Sequence, residues 1–484
     1  MKIYRYAYIT ILTAFCLNCI DVKAQQKDIL YFFKDVPQSG ISNPALMPNN
    51  DLYISFGLGM FGFNFNTSGF CYHDIINRHP VYSDSLRVDI RGFADKLKDN
   101  NYLSFGFDKN ILGFGFRQGK NHFSFDMYVS SDFRFNFSKD VFDFALYGTD
   151  VPGGETKLFD GKLLEMTTYL ANSFGYAREI NDKLTVGGRV KLLFGMADIH
   201  TKKSDVRLKY NDSDEIAAQC DVDIYTSNIV GSFIMNSLFD EDSETEFNAG
   251  EASDITSGMF SNVGLAFDLG AAYKINNEME VSLSVSDMGF INWKSNVSEV
   301  KTMNPGKVVR FEGVESCIDS IGTAITDYLD DITDSLKNAF DIHAVDMNSY
   351  TRATPVKVNA GYTWKFADVH YLHALAGFKI WNGSLMDGRL SVLYALRAKY
   401  FSLSAGNTFM TTAFFNPSAM ISTNAGPVHF NLGMSFNSAK GLSFNVADLS
   451  GVSVFMGLNL TFGNKPYWKE NEKRNEISGN FLFR

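Results

Sequence analysis

Phe123-Ser124-Phe125-Asp126-Met127-Tyr128-Val129-Ser130-Ser131-Asp132-Phe133-Arg134-Phe135-Asn136-Phe137 decides the fold of this chain. Its odd positions are Phe123, Phe125, Met127, Val129, Ser131, Phe133, Phe135 and Phe137, and the even ones between them are mostly polar. Side chains of a strand point alternately to opposite faces, so this stretch separates two environments along its whole length. The same two-residue period recurs at Val428 to Asn437, Val281 to Ser286, Val263 to Ala272, Leu103 to Phe107, Leu112 to Phe116 and Leu442 to Ala447. Two architectures produce it: a soluble sandwich with its apolar faces inward, and a transmembrane barrel with its apolar face turned to lipid.

Four features favour the barrel. Many segments supply the ~9 to 11 tilted residues that a bilayer crossing requires, and several are longer than usual sandwich strands. The polar face is rich in Gly, Ser and Asn rather than the Lys and Glu that keep an exposed sheet soluble. Tyr273, Trp293, Tyr362, Trp364, Tyr371 and Tyr400 fall near strand ends, as interfacial girdles would. Tight turns at 438–440, 396–397, 365–369, 275–277 and 179–182 would lie at one end, and long insertions at 407–426, 287–353, 228–258 and 139–162 at the other. That asymmetry is the one expected of short periplasmic turns and long external loops.

Composition agrees. The chain has 484 residues, of which 45% are hydrophobic and 20% charged, with 44 Phe and 39 Gly against 10 Pro. A mean hydropathy of −0.09 excludes a bundle of membrane helices, and the apolar content excludes disorder. The net charge is −10 and no Lys/Arg run tracks a phosphate backbone, which excludes nucleic acid as a partner.

Residues 1–24 read as a cleaved signal peptide. Lys2 and Arg5 precede the apolar stretch Tyr6 to Ile20, and Val22-Lys23-Ala24 offers a cleavage site before Gln25. Phe15 and Asn18 before Cys16 and Cys19 disfavour a lipid anchor. The remaining Cys71, Cys220 and Cys317 are odd in number and far apart, so neither a disulfide framework nor zinc is indicated.

Ser42-Asn43-Pro44-Ala45-Leu46-Met47-Pro48 combines a capping residue, a proline suited to a first helical position and a second proline that ends the turn. Asn43, Pro44 and Ala45, placed ahead of the first strand, resemble the N-terminal plug region of FadL-type fatty-acid transporters and of the PorV-like barrels of type IX secretion. Ser286-Asp287-Met288-Gly289-Phe290-Ile291-Asn292-Trp293 is similar to the Asp-Leu-Gly-Phe-Ile-x-Trp signature of an uncharacterised family of Bacteroidetes exported barrel proteins, with Met288 the visible departure. Within it Gly289 would permit a sharp bend, and Phe290 and Trp293 would anchor the chain at the interface. That family implies a fold and no substrate. The strand at Val452 to Phe462 resembles the C-terminal signal by which barrels are handed to their insertion machinery, although Phe455 stands at a usually polar place and a tail follows.

Other patterns carry no chemistry. Gly57-Leu58-Gly59-Met60-Phe61-Gly62 satisfies GxGxxG, but Phe61, Phe63 and Phe65 continue a strand where a nucleotide site needs a helix. His370 and His373 fall on opposite faces of a strand, so no metal pair results. Neither GxSxG nor HExxH occurs, and no cofactor or enzymatic reaction is indicated. Asp126, Asp132 and Arg134 lie on the lumen-facing side, where they would bias ion passage, clamp a plug, or pair internally as lumen filling. The acidic stretch Asp240 to Asp254 lacks the ligand spacing of a calcium loop. From Ile318 to Phe340, apolar residues recur every three or four positions and predict a helix.

The reading is therefore all-β: a single transmembrane antiparallel β-barrel of about 14 strands, within a range of about 14 to 18, with an N-terminal plug segment and helical loop insertions. Its divisions are the signal at 1–24, a plug or arm at 25–50, the barrel at 51–464 with a helical insertion at 317–342, and a C-terminal tail at 465–484. The expected location is the cell outer membrane, with outer-membrane lipid and the barrel-insertion machinery as partners. FadL-like uptake or binding of small hydrophobic molecules is the expected function. PorV-like binding or shuttling of secreted protein partners, without transport, is the alternative, and a secreted soluble sandwich is a third.

Overall fold

Strands of this alternation have two faces to satisfy, and closing the sheet satisfies both. The computed structural model describes residues 27–78, 85–147, 155–210, 215–227, 258–305, 307–312, 339–381, 384–398, 400–410, 414–438 and 445–463. They form a closed antiparallel barrel of 14 strands. Strand β1 comes in two pieces, Leu52–Phe56 and Phe61–Thr67. It is followed by β2 (Asn100–Gln118), β3 (Asn121–Ser138), β4 (Leu164–Glu179), β5 (Leu184–Tyr210), β6 (Val263–Lys274) and β7 (Met279–Trp293). Strand β8 is again in two pieces, Tyr350–Ala353 and Val356–Ala367. Then come β9 (His370–Trp381), β10 (Ser384–Arg397), β11 (Phe401–Met410), β12 (Pro417–Ala425), β13 (Val428–Ser438) and β14 (Leu449–Phe462).

Consecutive strands pair, and β1 closes the ring: Tyr53 stands opposite Gly115 of β2 on one side and Thr461 of β14 on the other. The break in β1 starts at Gly57, whose φ of 65° only glycine adopts without strain. The GxGxxG stretch is this break, and its second half resumes the sheet at Phe61–Thr67.

The orientation of the faces excludes the sandwich. In β13, Val428, Phe430, Leu432 and Met434 are exposed while His429 and Asn431 are buried, and in β14 Met456, Leu458, Leu460 and Phe462 are exposed while Ser453, Asn459 and Thr461 are buried. A soluble core would invert this order. The apolar belt therefore faces outward, as in a membrane barrel.

Short links at 119–120, 180–183, 275–278, 368–369, 398–400 and 426–427 lie at one end of the barrel. Gly119 and Gly426 take φ of 58° and 63° there, the left-handed values that tight hairpins need. Three expectations are corrected. Residues 407–426 are no single insertion, because β12 crosses within them; its small residues Ser418, Ala419 and Ser422 and its Pro417 start weaken the alternation. The short turn expected at 438–440 is not supported: Ser438 ends β13 at the opposite end, β14 starts only at Leu449, and residues 439–444 lie outside the described residues. Of the strand expected at 442–447, residues 442–444 lie outside the described residues and Val446–Asp448 is a 3-10 turn.

At the long-loop end β5 outruns the barrel. Its outer half pairs with Glu215–Ser227, which pairs in turn with Val297–Thr302 and Val308–Glu312, while Glu155–Asp160 adds to its other edge. Ile342–Asp346 extends this outer sheet beside Val297–Thr302. A separate core of Phe144, Ile199, Leu208, Ile224, Phe340 and neighbours holds it together. Residues 313–338, with most of the expected helix, lie outside the described residues, as do the signal, the acidic stretch 240–254 and the tail from 464.

If the outward face meets hydrocarbon, Leu432→Arg at mid-strand should cost ~2–4 kcal/mol of folding stability in lipid vesicles, and Tyr273→Arg beside a short turn ~0–1 kcal/mol. Urea titration of vesicle-folded protein reads both; equal costs would contradict the outward assignment.

Candidate functional site

The lumen contains a part of its own chain. Residues 28–50 are buried almost throughout, with only Lys34 and Asn49 half-buried. Ser39–Ser42 makes one helical turn, and Asn43 leaves it with φ −151° and ψ 109° because a residue before proline is driven out of the helical region. Asn43 Oδ1 accepts from the Ala45 N–H at 2.9 Å and Leu46 N–H donates to the Asn43 carbonyl at 3.0 Å. Pro44 thus occupies the second position of a turn, and Ser42 ends a helical turn where the sequence reading has it starting one. The wall makes room with glycine: a Cβ at Gly270 would stand 2.1 Å from Asn43 Oδ1, and one at Gly187 2.5 Å from the Pro44 carbonyl carbon.

Polar anchors tie the segment to several strands. Arg389 Nε of β10 donates to both carboxylate oxygens of Asp28 at 2.7 Å, and Ser391 Oγ donates to the same carboxylate at 3.0 Å. Lys34 Nζ donates to Glu280 of β7 at 2.8 Å, and Ser422 Oγ of β12 donates to Asp35 at 2.6 Å. Gln38 Nε2 donates to Ser55 and to Asn459, and Asn43 Nδ2 donates to Tyr31 Oη at 2.9 Å. Arg397 donates to the Phe32 carbonyl at 2.7 Å, and Arg117 to that of Pro48 at 2.8 Å.

Between these anchors the wall is apolar. Tyr371, Leu375, Leu393, Ala395, Met420 and Phe455 face inward as one strip, covered by Ile29, Leu30, Tyr31, Phe32, Phe33 and Val36 of the segment. Phe455, the departure from the usual C-terminal strand pattern, belongs to this strip. Phe32 also stacks on His373 with ring centroids 4.4 Å apart. Beside the segment lies a cavity of about 20 Å³, room for roughly one water, lined among others by Asp28, Tyr128, Asp287, Lys357 and Arg389.

The three charges read as lumen-facing do face inward, but they do not form one group. Asp126 lies 3.7 Å from Arg189, and both are buried. Asp132, six residues or ~20 Å farther along β3, lies 3.4 Å from Lys379. Arg134 donates to Asn136 at 2.7 Å and sits 4.0 Å over the Tyr102 ring.

At the signature stretch, Asp287 has a φ of 62°, and β6 and β7 shift register beside it, between Phe267 and Leu269. Its carboxylate accepts from Lys191 at 2.5 Å and Lys357 at 2.9 Å, while Lys191 also lies 2.7 Å from Asp268. Because the shift exchanges faces, Phe290 points outward and Trp293 points inward. Phe290 is 49% exposed, whereas Trp293 is 0% exposed, against Gly195 and Tyr350, so it is no interfacial anchor. Nor does Gly289 make a bend: it lets β7 approach β6, where a Cβ would stand 2.1 Å from the Leu265 carbonyl oxygen. Sequence reasoning missed Asp28, Lys191, Lys357 and Arg389. The signal for Lys191 was present, since Gly187, Arg189 and Lys191 alternate with Val186, Val190 and Leu192.

Among the described residues, no group of three or more His, Cys, Asp or Glu is arranged to hold a metal. The chain belongs to the family of unknown function DUF5723, whose model matches residues 44–435. No curated protein matches the sequence. Among solved structures it is similar to the Ralstonia pickettii toluene transporter TbuX, at 9% identity over 88% of this chain and 94% of that one, with a TM-score of 0.41. A Pseudomonas aeruginosa FadL homologue matches at 9% identity over 89% and 94% of the two chains, TM-score 0.39. The Neisseria meningitidis NalP translocator domain matches at 8% over 85% and 89%, TM-score 0.32.

Gly270→Leu places a side chain where Asn43 and Pro44 now sit. It should leave the barrel folded, by heat-modifiable gel migration, and make residues 28–50 accessible to protease; continued protection would contradict the cradle.

Proposed function

We propose that the chain is an outer-membrane barrel that binds small hydrophobic molecules and passes them inward, with residues 28–50 as its plug. The observation that carries this reading is the inward apolar cluster of Tyr371, Leu375, Leu393, Ala395, Met420 and Phe455 against the N-terminal segment. A water-filled pore has no use for such a surface, because apolar area left in water costs roughly 25 cal/mol per Å². Here the plug covers it, and an apolar solute would cover it equally well. Asn43, Pro44 and Ala45 seat the plug in the glycine-lined wall. Asp126, Asp132 and Arg134 serve as paired lumen filling, and Asp287 holds two wall lysines in place.

A second reading rests on the outer sheet and its separate core. That body stands beyond the bilayer end of β5, where it would present a surface to a secreted protein, as PorV-like barrels are expected to do.

Deleting residues 25–50 decides between them. For uptake, the deleted protein should conduct in planar bilayers and speed entry of the hydrophobic dye N-phenylnaphthylamine into cells, while the full chain stays closed. Absence of both effects, together with a protein cross-linked to the outer sheet in cells, would replace uptake by partner binding.

A further inference from the structure

We propose that the outer surface of the barrel carries a knob, Phe56 and Leu58, and a hollow around Ala405 and Ala419, and that the knob of one barrel seats in the hollow of a second copy of this chain, closing a ring of four in the membrane. The inference goes beyond the uptake reading and depends only on the outward apolar face of the barrel.

The knob is the break in β1. Phe56 stands opposite Leu112 and Phe61 opposite Lys109, so residues 57–60 of β1 face only Asn110 and Ile111 of β2. Surplus residues in one strand bend it out of register with its neighbour. Here they lift Phe56 and Leu58 to 83% and 62% exposure, whereas the outward residues beside them, Phe114 and Phe116 of β2 and Leu458 and Leu460 of β14, are 40–43% exposed. Backbone bonds hold the bend: Gly57 N–H donates to the Ile111 carbonyl at 2.7 Å, and Leu458 N–H donates to the Leu58 carbonyl at 2.8 Å. The two side chains therefore stand proud of the wall on a braced backbone.

The hollow lies on β10 to β13. Strand registers set Tyr394, Ala405, Ala419 and Met434 side by side in one outward row, and Leu403, Ile421 and Leu432 in the row nearer the short links. Two methyl groups between a phenol ring and a thioether leave a gap. Its volume is about 320 Å³, and about 150 Å³ is enough for a benzene-sized ring. The Tyr394 hydroxyl lies 2.7 Å from His370 Nδ1, which fixes one rim.

Lipid tails are as apolar as leucine, so barrels associate in a bilayer through shape, where small residues let backbones approach and a protruding side chain gains contacts on all sides. Knob and hollow meet that condition, and they lie at one depth. Phe56 and Leu58 are four and six residues from Leu52, the short-link end of β1; Ala405 is four residues from Phe401 and Ala419 six from Ala425, the short-link ends of β11 and β12. In a ring of 14 strands neighbours are about 26° apart, and about three and a half spacings separate β1 from the middle of the hollow, so the two features point about 90° apart. A contact that joins two different surfaces head to tail closes when the turn per subunit divides the circle. Ninety degrees is the corner of a four-membered ring, and a common direction of insertion sets its axis along the membrane normal.

The test uses the full-length protein in membranes isolated from expressing cells. A chain carrying both Leu58→Cys and Ala419→Cys should give, on oxidation with copper phenanthroline, a ladder of disulfide-linked species that ends at four. Either substitution alone should give none, because the contact joins unlike surfaces. In a second measurement, particles extracted with their lipid are weighed by native mass spectrometry. Ala419→Trp fills the hollow and Phe56→Ala trims the knob; both should keep the heat-modifiable migration of a folded barrel and lower the four-chain fraction about tenfold or more. Leu283→Trp, at a 54% exposed position of β7 on the far side of the barrel, should leave it unchanged. Single chains throughout, with no ladder from the double variant, would overturn the contact and give the hollow to a lipid acyl chain. A ladder from Leu58→Cys alone, or one ending at any other number, would overturn the head-to-tail ring of four. Each of these outcomes leaves the uptake reading standing, since dye entry and conductance test that separately.

Discussion

A peptide group in hydrocarbon has no water to bond, and leaving it unpaired costs several kcal/mol, so a sheet in a membrane must have no edge. The rest of this structure depends on that constraint. The double pairing of β1, with β2 on one side and β14 on the other, removes the edge. Once the ring is closed, the two-residue period of each strand sends apolar side chains to lipid and polar ones to the axis. The lumen therefore holds many Ser, Asn, Asp, Lys and Arg side chains, which must bond one another, water, or something placed among them.

Here much of that demand is met by the chain's own N-terminal segment. It supplies carboxylates to Arg389 and Ser422, an ammonium to Glu280, carbonyls to Arg397 and Arg117, and apolar side chains to the strip on the inner wall. The segment is complementary to the wall in both charge and polarity, and the wall yields backbone space to it at Gly187 and Gly270.

Elsewhere the lumen is self-sufficient. Asp287 adopts a left-handed backbone at the register shift between β6 and β7, and that conformation aims its carboxylate at Lys191 and Lys357. Toward the long-loop end, Arg352 bonds Asp198, at 2.6 Å, and Glu165, while lying over the Trp381 ring at 4.9 Å. Removing one partner of such a buried pair typically costs ~3–5 kcal/mol, which gives these clusters a structural role apart from any cargo. The outer sheet follows different rules: with water on its outside, it turns its apolar residues inward around Phe144, Ile199 and Phe340.

By itself the sequence determined the barrel. Alternation at 123–137 and 428–437, the Gly- and Ser-rich polar face and the contrast of short and long connections all follow from local periodicity, which a strand preserves wherever it lies. Parity along β3 is unbroken through Asp126, Asp132 and Arg134, but parity does not say what each of them pairs with. Local periodicity failed where parity changes or pairing is non-local. A register shift near Asp287 moved Trp293 inside, the weakly alternating β12 was taken for loop, and the outer half of β5 pairs with elements far away in sequence. Only the tertiary structure decided that Asp28 meets Arg389 and that Ile29 to Phe33 cover an apolar strip, since these contacts join residues 361 positions apart and no repeat or motif records which strand a buried segment will touch.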